Sequence, residues 1–139
     1  FKLQHRQEFV IGGYKPENGN FQSLVVGYYD NDMLRFAARV RAGFTAAQRA
    51  AVFKLLKPLV TARCPFGDLP TSKTSHWGEG ISEEDMKALK WVRPKLVAEI
   101  AFTEWTRDGH LRHSTFLGLR DDKNVREVTR EVAVAPKVY

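Results

Sequence analysis

The amino-acid sequence predicts a mainly β protein: a five-stranded barrel with a helix between strands 3 and 4 and a short C-terminal helix. Runs of β-branched and aromatic residues, separated by turn residues, indicate strands in both halves of the chain. A stretch with apolar residues at helical spacing lies between those halves. Strands, then one helix, then further strands is the order of the oligonucleotide-binding barrel, whose helix plugs one barrel end.

The length and composition of the chain indicate how many domains it forms and which classes of protein it does not belong to. The chain has 139 residues, of which 43% are hydrophobic, so one domain over residues 1–139 with a buried core is expected. No stretch approaches the ~18 apolar residues of a membrane span, and no signal peptide is visible. The single cysteine, Cys64, excludes an internal disulfide and predicts a buried structural thiol in a reducing cytoplasm.

Three strands are predicted in the first half. A lead-in, a first strand, a turn-rich loop and two more strands are expected over residues 1–5, 8–14, 15–20, 22–29 and 33–40. Within the first strand, Gly12 and Gly13 indicate a bulge or barrel bend. The short turn before the third strand is supplied by Asp30, Asn31 and Asp32.

The helix begins after Thr45, because Thr45 and Gln48 have the spacing of a capping box. Pro58 lacks an amide donor, so the helix should end or kink near Lys57. Its apolar residues recur at helical spacing and are predicted to face the core: Val52, Leu55, Leu56, Leu59 and Val60.

The second half predicts an irregular connection, a short helix, two strands and a last helix. The connection covers residues 64–80, the short helix begins at Ser82 and is bounded by Pro94, and the last helix covers residues 124–134. The fourth and fifth strands cover residues 96–105 and 111–119, joined at Asp108-Gly109 as a hairpin.

The positive charge is concentrated in the first half. The chain carries +6 overall, and residues 1–63 contain ten Lys and Arg against four Asp and Glu. On a regular third strand Arg35 and Arg39 share one face, and Arg41 extends it. These arginines suit contacts to a phosphate backbone, but charges that protect a sheet edge from aggregation explain them equally well.

The fifth strand ends in a dense charged cluster. Arg120, Asp121, Asp122 and Lys123 place two cations beside two carboxylates. Such a cluster suits the binding of a polyphosphate or pairing with another charged site.

This stretch resembles the last motif of ATP-dependent DNA ligases. The matching residues are Arg112, His113, Phe116, Gly118, Leu119, Arg120, Asp122 and Lys123, with Ser114 where the family usually has proline. Residues 6–14 and 91–99 also resemble the bacterial branch, which includes the ligase D enzymes of end joining. The resemblance spans roughly residues 2–132, and three motifs in order are far more specific than one short pattern.

The resemblance implies an oligonucleotide-binding barrel at the C-terminal end of a nick-sealing enzyme. The lysine that becomes adenylylated would lie in a preceding nucleotidyltransferase domain, in a Lys-x-Asp-Gly motif that this chain lacks. Residues 1–5 are then a lead-in from that domain, and the chain alone should not ligate DNA. ATP and a divalent cation, Mg²⁺ or Mn²⁺, would be used by the full-length enzyme, with neither held by this domain alone.

The same resemblance assigns roles to individual residues. Arg120, Lys123 and Asp122 are the expected catalytic residues, and the first two would contact the phosphates of ATP. Lys2 falls on a lysine of the motif that closes the nucleotidyltransferase domain, although an ordinary surface lysine fits it equally well. The expected partner is duplex DNA with a nick or break, bound by Lys15, Arg35, Arg39, Arg41 and Arg112. A monomer located with the bacterial nucleoid is expected.

Two further possibilities are a single-strand-binding module and a metal site. A free-standing module that binds single-stranded nucleic acid would need exposed aromatic rings, for which Tyr28, Tyr29, Phe36 and Trp105 are candidates. His110 and His113 suggest a metal, but residues three apart on a regular strand face opposite sides, so no metal site is expected.

Overall fold

A bent antiparallel sheet forms the body of the protein, and the computed structural model describes residues 4–67, 87–107, 109–121 and 124–129. The strands are β1 (His5–Glu17), β2 (Asn20–Asp30), β3 (Met33–Val40), β4 (Val60–Thr61), β5 (Lys90–Phe102), β6 (Glu104–Trp105), β7 (Leu111–Arg112) and β8 (Thr115–Arg120). Helix α1 (Ala46–Leu56) lies between β3 and β4. The mainly β class and the helix after the third strand are confirmed, but the described residues form eight strands instead of five.

The pairing of the strands brings β8 next to the end of β3. Neighbours run β3-β2-β1-β5-β4, and β8 also pairs with β5. A parallel bridge joins Ala42, just beyond β3, to Thr115 in β8, and the Phe116 amide donates to the Ala42 carbonyl at 2.9 Å. The sheet therefore curves back until β8 touches the end of β3.

The first hairpin is tighter than the sequence suggested. Strand β1 continues to Glu17 and β2 starts at Asn20, so the loop expected over residues 15–20 is wrong. Asn18 and Gly19 alone make the turn, with φ of 48° and 76°. Two successive positive φ angles match the right-handed twist of paired strands, which explains how two residues suffice.

A bulge interrupts β1 at the predicted glycines. Its register shifts between Ile11 and Gly13 against both β2 and β5. A Cβ on Gly12 would lie 2.5 Å from the Phe66 ring, so only glycine leaves space for that ring. Phe66 is buried, although it belongs to the segment predicted as an irregular connection. The neighbouring Cys64 is partly buried, and its thiol donates to the Phe66 carbonyl at 3.7 Å.

Helix α1 begins as predicted and buries a narrower face than predicted. Thr45 Oγ1 accepts from the Gln48 amide, and Gln48 Oε1 accepts from the Thr45 amide, both at 3.1 Å. Val52 and Leu56 are buried, but the prediction that Leu55 lies in the core is wrong, since its side chain is 46% exposed. The helix touches the sheet along a single stripe four residues apart, and Leu55 lies about 100° away from Leu56 around the helix axis.

Beyond α1 a 3₁₀ turn over Lys57–Leu59 contains Pro58, in agreement with the predicted end of the helix. Val60, also predicted in the core, is 43% exposed because it opens the short edge strand β4.

The long strand β5 starts earlier than predicted. Lys90 is already in the strand, so the predicted boundary of the short helix at Pro94 is wrong. Lys87 and Ala88 are helical, and residues 82–86 of the predicted helix lie outside the described part of the chain, as do residues 68–80 of the predicted connection. Pro94 lies inside β5, opposite the Gly12 bulge, where the register with β1 jumps from Ile11–Leu96 to Gly13–Trp91. Proline needs no ladder hydrogen bond at such an irregularity.

The predicted fourth and fifth strands are each broken in two. The fourth strand bends at Thr103, and β6 pairs with β7 as the predicted hairpin, with Gly109 at φ 80°. The fifth strand breaks between β7 and β8, where His113 has φ 54°. Residue 108 lies outside the described part of the chain.

The last described segment is not the predicted α-helix. Val125–Glu127 forms a single 3₁₀ turn capped by Asn124, and Val128 is extended. Tyr29 donates its amide to the Val128 carbonyl at 2.7 Å, and Thr129 bridges to Tyr29 in parallel. Pairing with the C-terminal end of β2, together with the β-branched content of the segment, favours extended backbone. Residues 130–134 of the predicted helix lie outside the described residues.

Among all the residues that the structure describes, no helix is long and apolar enough to cross a membrane.

Replacing Gly27 by alanine should strongly destabilise the fold. A Cβ there would lie 2.1 Å from the Arg35 carbonyl oxygen on β3 and 2.6 Å from the Phe66 ring. We expect the unfolding free energy to fall by about 3 kcal/mol, because the strands must separate to admit the methyl group. Urea unfolding measures this. Gly118→Ala is the control, since nothing lies within 4 Å of its Cβ position; an equal loss in both variants would contradict the packing argument.

Tyr14 should make stability fall in alkaline solution. Burial raises the pKa of its hydroxyl above the ordinary value of 10.0. Above about pH 10 the unfolded chain therefore loses this proton first, so stability decreases as pH rises towards the folded-state pKa, by at most about 1.4 kcal/mol per pH unit. Urea unfolding of wild type and Tyr14→Phe between pH 8 and about 11 tests this. The stability advantage of the tyrosine should shrink with pH, and parallel curves would contradict it.

Candidate nucleic-acid interface and nucleotide-binding residues

Arg120 is the last residue of β8 and reaches across the sheet towards β1. Its Nη1 lies 4.0 Å from Glu8 Oε2, and the two side chains are 37% and 21% exposed. Glu8 stands directly opposite Glu99 on β5. Two carboxylates in such a position repel each other, so the Arg120 guanidinium offsets their charge. The ion pair is long and both side chains are partly exposed, so this pair by itself contributes little to stability.

The other residues expected to act on ATP cannot be placed. Lys2, Asp122 and Lys123 lie outside the described residues. Asp121, which is described, is exposed just beyond β8.

The cations expected to contact DNA fall into separate groups. Arg35 pairs with Asp30 across the β2–β3 hairpin, with Nε and Oδ2 2.8 Å apart. Arg112 pairs with Glu104 across the β6–β7 hairpin at 3.4 Å. Lys15 lies on β1 opposite Ser23. Arg112 and Arg120 thus pair with different carboxylates, Glu104 and Glu8.

Arg39 and Arg41 line the same pocket, and Arg35 is not part of that lining. Strand β3 carries one extra residue, Ala37, where its register with β2 shifts from Val26–Ala38 to Gly27–Phe36. Arg41 lies just beyond the end of the strand. The single continuous arginine face expected over β3 is therefore interrupted.

A pocket of about 400 Å³ lies between the end of β3 and the segment that contains the β7–β8 break. Its polar lining consists of Arg39, Arg41, His110, His113 and Ser114. The remaining lining is apolar and comes from Phe36, Ala37, Ala38, Ala42 and Leu111. None of the described residues in this lining carries a carboxylate.

The break at His113 explains why the sequence did not reveal this pocket. On a regular strand His110 and His113 would face opposite sides. Because His113 has positive φ, the alternation fails and both residues line one pocket. Among the residues that the structure describes, no three His, Cys, Asp or Glu side chains are grouped to hold a metal ion.

Thr103 fixes the His113 ring. Its Oγ1 lies 3.2 Å from the Arg112 carbonyl oxygen and 3.0 Å from His113 Nδ1. A hydroxyl has one proton and the carbonyl only accepts, so both contacts are hydrogen bonds when His113 Nδ1 carries a proton and donates. Positive φ in a non-glycine residue is rare and often accompanies a functional site.

The aromatic residues considered for stacking on bases are mostly unsuited to it. Tyr28, Tyr29 and Phe36 are all buried. Trp105 is partly buried, and its ring packs against Phe9 and Tyr28 at 5.8 and 5.5 Å between centroids. These rings belong to the core, so the described surface offers little support for a single-strand-binding module.

Comparisons with known proteins identify the family. The family model for the C-terminal region of ATP-dependent DNA ligases matches residues 17–123. The multifunctional non-homologous end joining protein LigD of Pseudomonas aeruginosa is 36% identical over 97% of the chain, and the LigD DNA repair protein of Mycobacterium tuberculosis is 38% identical over 94%. The chain belongs to the C-terminal-region family of ATP-dependent DNA ligases. It spans only 16% of the length of each of these two relatives.

Solved structures agree with the sequence comparison. The ligase domain of M. tuberculosis LigD superimposes with a TM-score of 0.79 at 38% identity, over 92% of this chain and 39% of that one. A mycobacterial DNA ligase D complexed with ATP and MES gives a TM-score of 0.75 at 38% identity, over 91% of this chain and 38% of that one. The similarity thus extends over nearly the whole sheet.

Proposed function

We propose that this chain is the oligonucleotide-binding domain of an ATP-dependent DNA ligase that joins broken ends in DNA repair. Residues 1–139 would form one domain that follows a nucleotidyltransferase domain in the same protein, with residues 1–5 as the link. The observation that carries the proposal is Arg120 at the partly exposed end of β8, inside the region that the ligase family model matches. In this proposal the domain acts as a monomer with the bacterial nucleoid.

The first role is in the step that adenylylates the enzyme. Arg120 and Lys123 would orient the departing pyrophosphate of ATP, and Asp122 would position one of them. Fixed cations stabilise the negative charge that develops on a leaving phosphate. The partial exposure of the Arg120 side chain, 37%, supports this role, because it leaves the guanidinium accessible to a phosphate. Lys2 would contribute a further phosphate contact, and Mg²⁺ or Mn²⁺ would be bound by the other domain.

The second role is to bind duplex DNA around a nick or break. Lys15, Arg35, Arg39, Arg41 and Arg112 would contact backbone phosphates. Such contacts carry no sequence information, which suits an enzyme that must accept any nick. The excess of positive charge in residues 1–63 supports this assignment.

In the full-length enzyme, Arg120→Ala should slow self-adenylylation on the order of 100-fold, because a cation at the leaving phosphate is lost. Sealing of a nick that already carries AMP should change little, since that step no longer involves ATP. Single-turnover assays of the two steps measure both rates, and Lys123→Ala should behave in the same way. Arg112→Ala serves as the control and should spare adenylylation, because Arg112 pairs with Glu104 elsewhere. Equal losses in both steps of Arg120→Ala would indicate misfolding or a DNA-binding role.

Affinity for DNA should depend on salt through a small number of phosphate contacts. Each neutralised phosphate contributes about 0.9 to the slope of log affinity against log salt, so three or four contacts predict a slope of about −3 to −4. Arg39→Ala should make the slope shallower by about one without creating sequence preference. Titration of a nicked duplex at several salt concentrations measures this. Lys54→Ala, an exposed charge on α1, is the matched control. An unchanged slope in Arg39→Ala would favour the explanation that this arginine protects a sheet edge.

A further inference from the structure

We infer that residues 125–129, here called the tail anchor, form a positioning element for the charged cluster that ends in Lys123. Arg126 and Val128 are its positioning residues. This inference rests on the proposed function, in which Arg120 and Lys123 act on the phosphates of ATP. It adds that the attachment of the tail anchor to β2 limits where Lys123 can lie during adenylylation.

The tail anchor is attached to the C-terminal end of β2 through its backbone. The Tyr29 amide donates to the Val128 carbonyl at 2.7 Å, and Thr129 forms a parallel bridge with Tyr29. The Val128 side chain is 2% exposed and belongs to the hydrophobic core, and Val125 is partly buried against the same core. Truncation of a buried side chain leaves a cavity, so the attachment depends most on Val128.

Arg126 adds a second attachment from outside the core. Its guanidinium lies 5.0 Å from the centroid of the Tyr29 ring, and its Nη1 lies 3.4 Å from Asp32 Oδ1 in the turn between β2 and β3. The two side chains of this ion pair are 63% and 98% exposed, so solvent screens their attraction strongly. The contact with the aromatic ring is therefore the larger contribution of Arg126.

In the sequence, residues 121–123 lie between two points that the fold holds in place. Before them, Arg120 is paired with Val97 in β5. After them, Asn124 caps the 3₁₀ turn, since its side chain accepts from the Arg126 amide and its carbonyl accepts from the Glu127 amide, both at 3.0 Å. Arg120 and Asn124 are four residues apart, which is a span of at most about 14 Å.

Lys123 is bonded directly to Asn124, so the attachment of the tail anchor restricts the positions that the lysine ammonium group can reach. A short segment held at both ends has few conformations to lose when it meets a triphosphate. A displacement of about 1 Å at a reacting group can change a rate by up to about 100-fold. The tail anchor therefore affects the rate of adenylylation through Lys123, without a contact of its own to ATP.

Single-turnover kinetics of the full-length enzyme test this inference. Val128→Ala should slow self-adenylylation about tenfold, because Lys123 is less well placed, and should slow sealing of a nick that already carries AMP by less than about twofold. Val52→Ala is the matched control, since it truncates another valine that is 2% exposed, on α1. This control should affect both steps alike.

Arg126 provides a second variant that leaves the core intact. Arg126→Ala should slow adenylylation about threefold, as loss of an exposed cation–π contact predicts. Arg126→Lys should restore most of the rate, because it keeps a cation near the Tyr29 ring. Asp32→Asn should leave both steps unchanged, since the ion pair that it removes is largely exposed.

A double variant separates positioning from general stability. Lys123→Ala combined with Val128→Ala should adenylylate barely more slowly than Lys123→Ala alone, because both changes disturb the same group. Effects that multiply, or the same ratio of the two steps in Val128→Ala and Val52→Ala, would overturn the role of the tail anchor and leave the proposed function intact. Normal adenylylation by Lys123→Ala alone would overturn the proposed role of that lysine and this inference with it.

Discussion

The contact between Phe116 and Ala42 is the constraint on which the functional surface depends. It joins β8, near the end of the described chain, to the residues that follow β3. Gly43 makes the close approach possible: its φ is 97°, and a Cβ there would lie 2.3 Å from the Phe116 carbonyl oxygen. This one junction brings the basic first half of the chain against the strand that carries the ligase motif.

Near the same junction, the predicted strand over residues 111–119 breaks into β7 and β8. Leu111, His113 and Ser114, around that break, line a pocket together with the end of β3. The left-handed conformation of His113 divides the strand, so β7 pairs with β6 while β8 pairs with β5. Thr103, at the bend that separates β5 from β6, holds both Arg112 and His113. The bend at Thr103 and the break at His113 are thus joined by hydrogen bonds of the Thr103 hydroxyl.

The arginines occupy different places on the structure. Arg35, Arg112 and Arg120 each have a carboxylate nearby, at distances from 2.8 to 4.0 Å. The longest of these pairs belongs to Arg120, the residue that we propose acts on ATP. Arg39 and Arg41 both line one pocket at the end of β3. Net charge alone does not reveal these positions, since every arginine counts equally in a sequence.

Local patterns in the sequence were sufficient for the class of fold, the bounds of β3, the capping box at Thr45 and the bulge near Gly12. Each depends on residues close together in the chain: turn residues, a hydroxyl three positions before an amide, or a glycine pair. The family was likewise evident from the charged motif that ends at Lys123. Short-range stereochemistry and the spacing of motif residues can be inferred directly from a sequence.

Tertiary packing decided the rest. Leu55 has the spacing of a core residue but is exposed, because α1 meets the sheet along one stripe only. The predicted helix over residues 124–134 contains an extended segment that pairs with Tyr29 near the C-terminal end of β2. His110 and His113 line one pocket because the strand geometry breaks at His113, whose φ is 54°. Such outcomes depend on contacts between residues far apart in the chain, and these contacts override local propensity when they bury apolar surface or satisfy backbone hydrogen bonds.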